Sequence, residues 1–510
     1  MALAHRPTVD ESYWMTTTAA TNHPPLRSQA TADVAVIGGG IAGLVTAWEL
    51  QRAGLDVVVL EADRIAAGVT GYTTAKLTSL HGMHYAQLES RHGGESAALY
   101  ALSQQDAVEH VAALCAELDI DADLERVPAY TFVEDPKRVD EVRAEADTAR
   151  RAGLEATFVT DTELPFPVAG AVRVEGQLQF HPRKFLLGLA ERFVRAGGRI
   201  HERTRVTGLR DGRRCHLTTE SGATVDASDA VIATHYPVFD RTLLFTRLKP
   251  RRELVLAAPV PATDAPEGMY LSPESGTRSL RSAPYDEGRR LVILTGESFE
   301  PGAGGVRERY ARLEAWADER IPGFAAAEKT YRWAAQDNDS HDHLPYVGHA
   351  HPGTQHLYVA TGFGGWGMSN GVMAGRLLTA HIAGGPRPPW TELYDPRRLP
   401  AVRDTAELAK FQAGVAKHFV GDRLHTSHVD SVEEVAPGSG AVVRIGGKHC
   451  AVYRDESGEV RSLSARCTHL GCLVQFNDAE RTWECPCHGS RFATDGSVLH
   501  GPATRPLEEL

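Results

Sequence analysis

No stretch of this 510-residue chain approaches the ~18 consecutive apolar residues of a membrane-spanning helix, so no membrane span is expected. Nor is there a basic stripe. The formal charge of −12 is spread along the chain, which argues against nucleic acid or an anionic membrane as a partner. The opening "MALAHRPTVDESYWMTTTAATNHPPL" is polar and lacks the apolar region of a secretory signal, so a cytoplasmic protein is expected. Cysteine is scarce, with seven residues in all. Cytosolic thiols normally stay reduced, so clustered cysteines point to metal or redox work before structural disulfides. Cys115, Cys215 and Cys450 stand alone, and Cys115, in the helix-period "AVEHVAALCAEL", reads as a small core residue. The other four lie close together near the C-terminus. The length suits two or three domains.

Residues 33–61 read "DVAVIGGGIAGLVTAWELQRAGLDVVVLE". A short apolar strand, a stretch of helical apolar spacing ending on Gly54 and a second strand make a βαβ unit. Gly38 permits the tight turn, Gly40 lets backbone approach a pyrophosphate, and Gly43 allows close helix packing. The helix N-terminus offers free N–H groups to phosphate. Glu61 ends the second strand, placed to accept hydrogen bonds from ribose hydroxyls. A lone glycine fingerprint is weak evidence; here strand, helix, second strand and terminal acid agree. The motif does not separate FAD from NAD.

Two later segments bear on that choice, residues 68–82, "GVTGYTTAKLTSLHG", and 357–375, "LYVATGFGGWGMSNGVMAG". In the second, a strand runs into Gly362, Gly364, Gly365 and Gly367, and a helix is expected to begin near Ser369. Its positive end would face the side of a flavin where reduction leaves negative charge. No second full dinucleotide fingerprint is present to host NAD(P)H. Both segments resemble the D-amino-acid-oxidase-like (glycine-oxidase-like) FAD oxidoreductases, and the resemblance extends through "FHPRKFLLGLAERFVRAGGRI", "TRVTGL", "DAVIATHYP" and "DHLPYVGH", roughly residues 10–395. It implies a Rossmann-like FAD-binding domain over residues 1–400, interleaved with an α+β substrate domain at roughly 80–170 and 240–335. It also implies that Thr74, Val206, Ala233 and Met368 contact FAD.

After "GGPRPPW" the composition changes. A helix-like stretch, 401–424, leads to short strand patterns in "GAVVRIG", "HCAVYRD" and "GEVRSLS", separated by turn signals, as in a small all-β domain over 425–510. The whole therefore reads as α/β plus all-β. Here Cys467-x-His469 is followed, fifteen residues on, by Cys485-x-x-His488. That spacing fits a Rieske [2Fe–2S] centre, two cysteines on one iron and two histidines on the other. A four-ligand zinc site competes, and would leave Cys472 and Cys487 without a role. "CTHLGC" and "CPCHGS" resemble the cluster loops of high-potential Rieske proteins of the cytochrome bc type. That resemblance implies a Cys472–Cys487 disulfide tying the loops together and a Ser490 hydroxyl donating to a cluster sulfur. Such proteins usually carry a Tyr where this chain has Phe492, which places the potential below the top of the roughly −150 to +300 mV Rieske range. FAD and a [2Fe–2S] cluster on one chain resemble the YhfW-type FAD oxidoreductases with a C-terminal Rieske domain.

The family resemblance implies hydride removal from a carbon bearing nitrogen in a small-molecule substrate. The electrons would then leave through the cluster to an acceptor, such as a redox protein. Relatives that oxidise amino acids commonly clamp the carboxylate with an Arg at the position of Asp337. An acid there suits a cationic amine, or is an ordinary capping Asp. Lys76 either stabilises a reduced flavin anion or is an exposed helix-start lysine. Arg281 either lines the pocket or is a strand-surface charge. Competing classes are a Rieske non-haem iron oxygenase, which would need a mononuclear iron domain, a simple FAD oxidase using oxygen, and a non-enzymatic redox sensor or electron-transfer protein. Purified protein is expected to carry FAD and one [2Fe–2S] cluster per chain; zinc without acid-labile sulfide in metal analysis would contradict the cluster.

Overall fold

The computed structural model describes residues 7–240, 244–398, 429 and 431–510; the helix expected at 401–424 lies outside the described residues. Five parallel strands form the heart of the first sheet, in the order Leu357–Thr361, Thr224–Ile232, Ala30–Ile37, Val57–Leu60 and Arg199–His201. Tyr346–His349 adds antiparallel at one edge, and Cys215–Thr219 with Val206–Arg210 branches from Thr224–Ile232. The "VVVL" strand has every residue buried, as a parallel strand covered on both faces requires.

Two helices cover one face, Ile41–Arg52 and Gly367–Ile382, and each follows directly from a strand of this sheet. They lie unusually close. A Cβ on Gly375 would stand 2.6 Å from a Val45 methyl, and one on Gly371 2.7 Å from Ile41. The second helix starts at Gly367, two residues before the sequence expectation, because Trp366 takes the N-cap position. The carboxyl ends of three adjacent strands thus come together at Gly38, Ala233 and Gly362, where ligands of open α/β sheets bind.

The second sheet has ten strands and is mostly antiparallel. Its centre is Thr330–Ser340, Leu248–Pro261, Arg289–Phe299 and Arg278–Asp286, and it continues through Met269–Ser272, Glu125–Val133 and Gly170–Gln179 to the short strand Lys76–Leu77. Cys115 is buried in the helix Gly94–Leu118. The C-terminal part is all β. Ser439–Ile445, Lys448–Arg454 and Val460–Ser464 form one antiparallel sheet; Gln475–Asn477, Thr482–Glu484, Arg491–Phe492 and Val498–His500 form another. Among the described residues, no helix is long and apolar enough to cross a membrane.

The turn after Ala30–Ile37 tolerates no side chain at its third glycine, since a Cβ on Gly43 would lie 1.9 Å from the Gly38 carbonyl oxygen. Gly43→Val is expected to yield protein that purifies with little flavin absorbance; wild-type flavin content in this variant would contradict the turn's role.

Candidate active site and cluster loops

A cavity of about 550 Å³ opens at the three converging strand ends. Gly38, Gly40, Glu61, Thr74, Val206, Ala233, Asp337, Gly365 and Met368 all line it. Gly38 has φ +108° and approaches the Ala233 carbonyl so closely that a Cβ would lie 2.4 Å from its oxygen. The space beside this turn is therefore kept open for a ligand. Glu61 accepts hydrogen bonds from Gly39 N at 2.7 Å and Asp63 N at 2.9 Å, and burial raises its pKa. Gly43, Gly362 and Gly364 stand behind the lining. Gly43 closes the turn, and Gly364 N donates to Asn338 O at 3.1 Å, fixing the second glycine loop to strand Thr330–Ser340.

Lys76 lies outside the lining, in a strand and half-buried rather than at a helix start. Its Nζ donates to Ser279 and, at 3.3 Å, to Thr74, which does face the cavity. Burial, then the nearby Arg281 charge, lowers its pKa to about 7. Arg281 neither lines the cavity nor reaches the surface. It is buried over the Trp14 ring and donates to the Ala75 and Phe180 carbonyls at 2.5 and 3.3 Å.

Asp337 has both carboxylate oxygens engaged. Oδ1 accepts from Asn338 N at 2.7 Å and faces His235 Nε2 at 3.4 Å; Oδ2 accepts from Gly365 N at 2.7 Å. Burial pushes its pKa up, but the hydrogen bonds from His235 and the Asn338 amide, with the Arg251 charge, outweigh it and hold the carboxyl below its usual range. The same end of the cavity contains residues that sequence reasoning did not single out. They are His235, Arg251, Glu253 and, from the C-terminal β unit, Val498, Leu499, His500, Gly501 and Thr504. Arg251 is matched by Glu253 and Asp339. His235 had a signal, since it follows the strand of "DAVIAT" where ligands gather; nothing near His500 marked it.

The two cluster loops meet under a disulfide between Cys472 and Cys487, with Cα atoms 6.6 Å apart. Cys467 and Cys485 remain as buried free thiols hydrogen-bonded to each other, and the Ser490 hydroxyl also bonds Cys467. The His469 and His488 rings stand 4.9 Å apart, nearly perpendicular. Nδ1 of each is buried with no hydrogen-bond partner. Two sealed thiols and two orphaned imidazole nitrogens in one pocket are what a Rieske cluster needs, and the disulfide accounts for the cysteines that zinc would have left over. The two histidines differ in setting. His469 is half-buried, whereas His488 is 1% exposed and packs against Phe245 and Tyr236, at ring distances of 5.4 and 6.1 Å. Tyr236 directly follows His235 of the cavity.

The β unit is held against the large sheet by a buried charge. Arg252, fully buried in strand Leu248–Pro261, pairs with Glu480 and Glu484 of the C-terminal sheet. Glu484 immediately precedes Cys485 and also accepts from Gly302 N and Asn477 Nδ2, both at 2.9 Å. Gln336 Nε2 donates to Gly489 O at 3.0 Å. A Cβ on Gly489 would stand 2.4 Å from that same Gln336 nitrogen, so the cluster loop rests directly on the large sheet.

A dinucleotide cradle joined to a Cys₂His₂ pair defines a flavin- and iron–sulfur-dependent oxidoreductase. The family model "FAD dependent oxidoreductase" (DAO) matches residues 33–381, and the Rieske [2Fe-2S] domain model matches 425–510. The chain belongs to the DAO family of FAD-dependent oxidoreductases and carries a C-terminal Rieske domain; FAD and a [2Fe–2S] cluster are its cofactors. It is 33% identical over 502 residues to YhfW of Bacillus subtilis (strain 168), which is named as a Rieske 2Fe-2S iron–sulfur protein, covering 98% of this chain and 97% of that one. Over 46 residues it is 56% identical to a cytochrome b6-f complex iron-sulfur subunit of Synechococcus sp. (strain JA-3-3Ab), 9% of this chain and 27% of that one. Glycine oxidase from Geobacillus kaustophilus shares the fold of 73% of this chain and 100% of its own, with TM-score 0.60 and 20% identity. The flavin family fills the part of the chain that a non-haem iron oxygenase would need for its mononuclear site.

Removing Arg252 would leave Glu480 and Glu484, beside the cluster loop, with one guanidinium, Arg491, for two carboxylates. Arg252→Met is expected to destabilise the protein by about 3–5 kcal/mol in chemical denaturation. The uncompensated negative charge disfavours adding an electron, so the cluster's reduction potential is expected to fall; an unchanged potential by redox titration would contradict this.

Proposed function

We propose that the protein is an FAD-dependent dehydrogenase that oxidises a small amine at its C–N bond and passes the electrons to its own Rieske cluster, which delivers them to a separate redox protein. FAD supplies two-electron acceptance from an organic substrate, and the cluster supplies one-electron transfer. In this reading Gly38, Gly40, Glu61, Thr74, Val206, Ala233 and Met368 hold FAD, while Cys467, His469, Cys485 and His488 hold the cluster.

The observation that carries the reading is the position of His488, sealed beside Tyr236 at the end of the strand whose next turn, Thr234 and His235, lines the FAD cavity. A cluster serving only an outside partner would not need a ligand buried toward the flavin side. The half-buried His469, with the 46% exposed Leu470 next to it, is the ligand nearer the surface and suits exit to an external acceptor.

Charge supports an amine. At the Asp337 end of the cavity Arg251 is already balanced by Glu253 and Asp339, while Arg64 and Arg205 line the cavity elsewhere, beside Asp63 and Thr204. Asp337 adds a further negative charge, held ionised by its hydrogen bonds. Its role is electrostatic and positional, because both oxygens are occupied by N–H donors. Lys76, with its pKa near 7, is placed one residue behind the lining, where it tunes the charge of the site through Thr74.

Anaerobic screening of amines, amino acids and hydroxy acids for flavin bleaching identifies the donor. In rapid mixing with it, flavin absorbance is expected to bleach first and cluster absorbance second, and His488 variants are expected to stop after the first phase. A cluster that stays oxidised while oxygen reoxidises the flavin at full turnover would make the protein a simple oxidase.

A further inference from the structure

The C-terminal segment of the Rieske domain forms part of the cavity wall. His500 ends the strand Val498–His500, and this strand with Gly501 and Thr504 lines the same space as Gly38 and Asp337. We propose that His500 is a substrate-positioning residue, presenting an unprotonated Nδ1 as hydrogen-bond acceptor for an N–H of a cationic amine. The inference rests on the amine reading above and adds to it that the substrate site is complete only with the Rieske domain docked.

The argument runs through the hydrogen-bond chain Asp337–His235–His500. A carboxylate can only accept, so His235 Nε2, 3.4 Å from Asp337 Oδ1, carries the ring proton. His235 Nδ1 is then an acceptor. His500 Nε2, 3.1 Å away, donates to it; Asn338 Nδ2 lies 3.3 Å from Nδ1 and 3.4 Å from Nε2 and does not distinguish the two ring nitrogens. With its proton on Nε2, neutral His500 has a lone pair on Nδ1, which makes no hydrogen bond among the described residues.

The surroundings keep the ring neutral. Burial disfavours the imidazolium, and the Arg491 and Arg252 charges add to that effect. The opposing acids are taken: Glu480 and Glu484 face Arg252 and Arg491, while Glu253 and Asp339 face Arg251. Asp337 therefore acts on the far histidine through proton placement. The acceptor lies at the negatively charged end of the cavity, where an ammonium group is already favoured.

The test uses oxidised full-length holoprotein without oxygen, titrated with propylamine, with propyltrimethylammonium (the same charge without an N–H) and with butyrate. Binding is read from the visible flavin band. Propylamine is expected to bind saturably and the other two not. H500A is expected to weaken propylamine about tenfold, the worth of one hydrogen bond to a charged group, and H500N to recover most of it through its side-chain carbonyl. D337N can donate to His235 and reverse the proton order along the chain, so it is expected to weaken propylamine while flavin and cluster absorbance stay intact. This second variant decides the matter if H500A loses a cofactor. Wild-type affinity in H500A or D337N, or equal binding of propylamine and its trimethyl derivative, would overturn the role of His500 and leave the amine reading standing. Butyrate binding in place of propylamine, or no response to any of the three, would overturn the amine reading and His500 with it.

Discussion

A guanidinium with no access to water is the constraint on which the arrangement of this protein turns. Arg252 belongs to the large antiparallel sheet, yet the carboxylates that pair with it, Glu480 and Glu484, belong to the Rieske domain. Arg491 of the Rieske domain offsets part of the carboxylate charge, and Arg252 completes the pairing. Burial works against the Arg252 charge, and the two carboxylates more than restore it, so its pKa is raised. For Glu480 the same balance holds the carboxyl at about 2. Separating the domains would expose or strand these charges, which makes the docked state the one in which electrostatics are closed. Such a pair adds little net stability over an apolar contact of the same shape. Its effect is to specify one geometry.

That geometry has consequences on both sides of the interface. On the cluster side, Glu484 ends the strand Thr482–Glu484 and directly precedes Cys485, so the docking charge lies beside a cluster-loop cysteine. His488 is sealed inward and His469 is left nearer solvent, which gives the pair of cluster loops an inner and an outer side. On the flavin side, the same docking brings residues of the 498–504 segment to the cavity, so the Rieske domain also shapes that space. The disulfide at Cys472–Cys487 holds the two loops independently of the interface.

Much of this was legible in the sequence because the features are local. The fingerprint from Gly38 to Glu61 is a strand, a turn and a helix whose requirements are fixed by backbone chemistry within thirty residues. The cluster motif is likewise two short loops. What the sequence did not reveal depends on tertiary contact. Arg281 reads as a strand charge, and only the fold shows it buried over Trp14. Asp337 reads as an acid suited to a cationic amine or as a capping Asp; its oxygens accept from the next residue's amide, Asn338 N, and from Gly365 N, which only the fold brings near. Arg252 and His500 carry no local signal at all, since their partners are 232 and 265 residues away.

The central claim is that the two domains form one closed unit in solution, and hydrogen exchange at the interface tests it most directly. Gly302 N donates to Glu484 Oε2 at 2.9 Å and Val306 N to Asp478 Oδ1 at 3.1 Å, so each amide has a Rieske-domain side chain as its acceptor. In the holoprotein these amides are expected to exchange as slowly as those of the central strands, through opening of the whole interface. Exchange at the rate of an exposed loop, in protein that retains both cofactors, would show that the domains do not stay docked and would contradict the account.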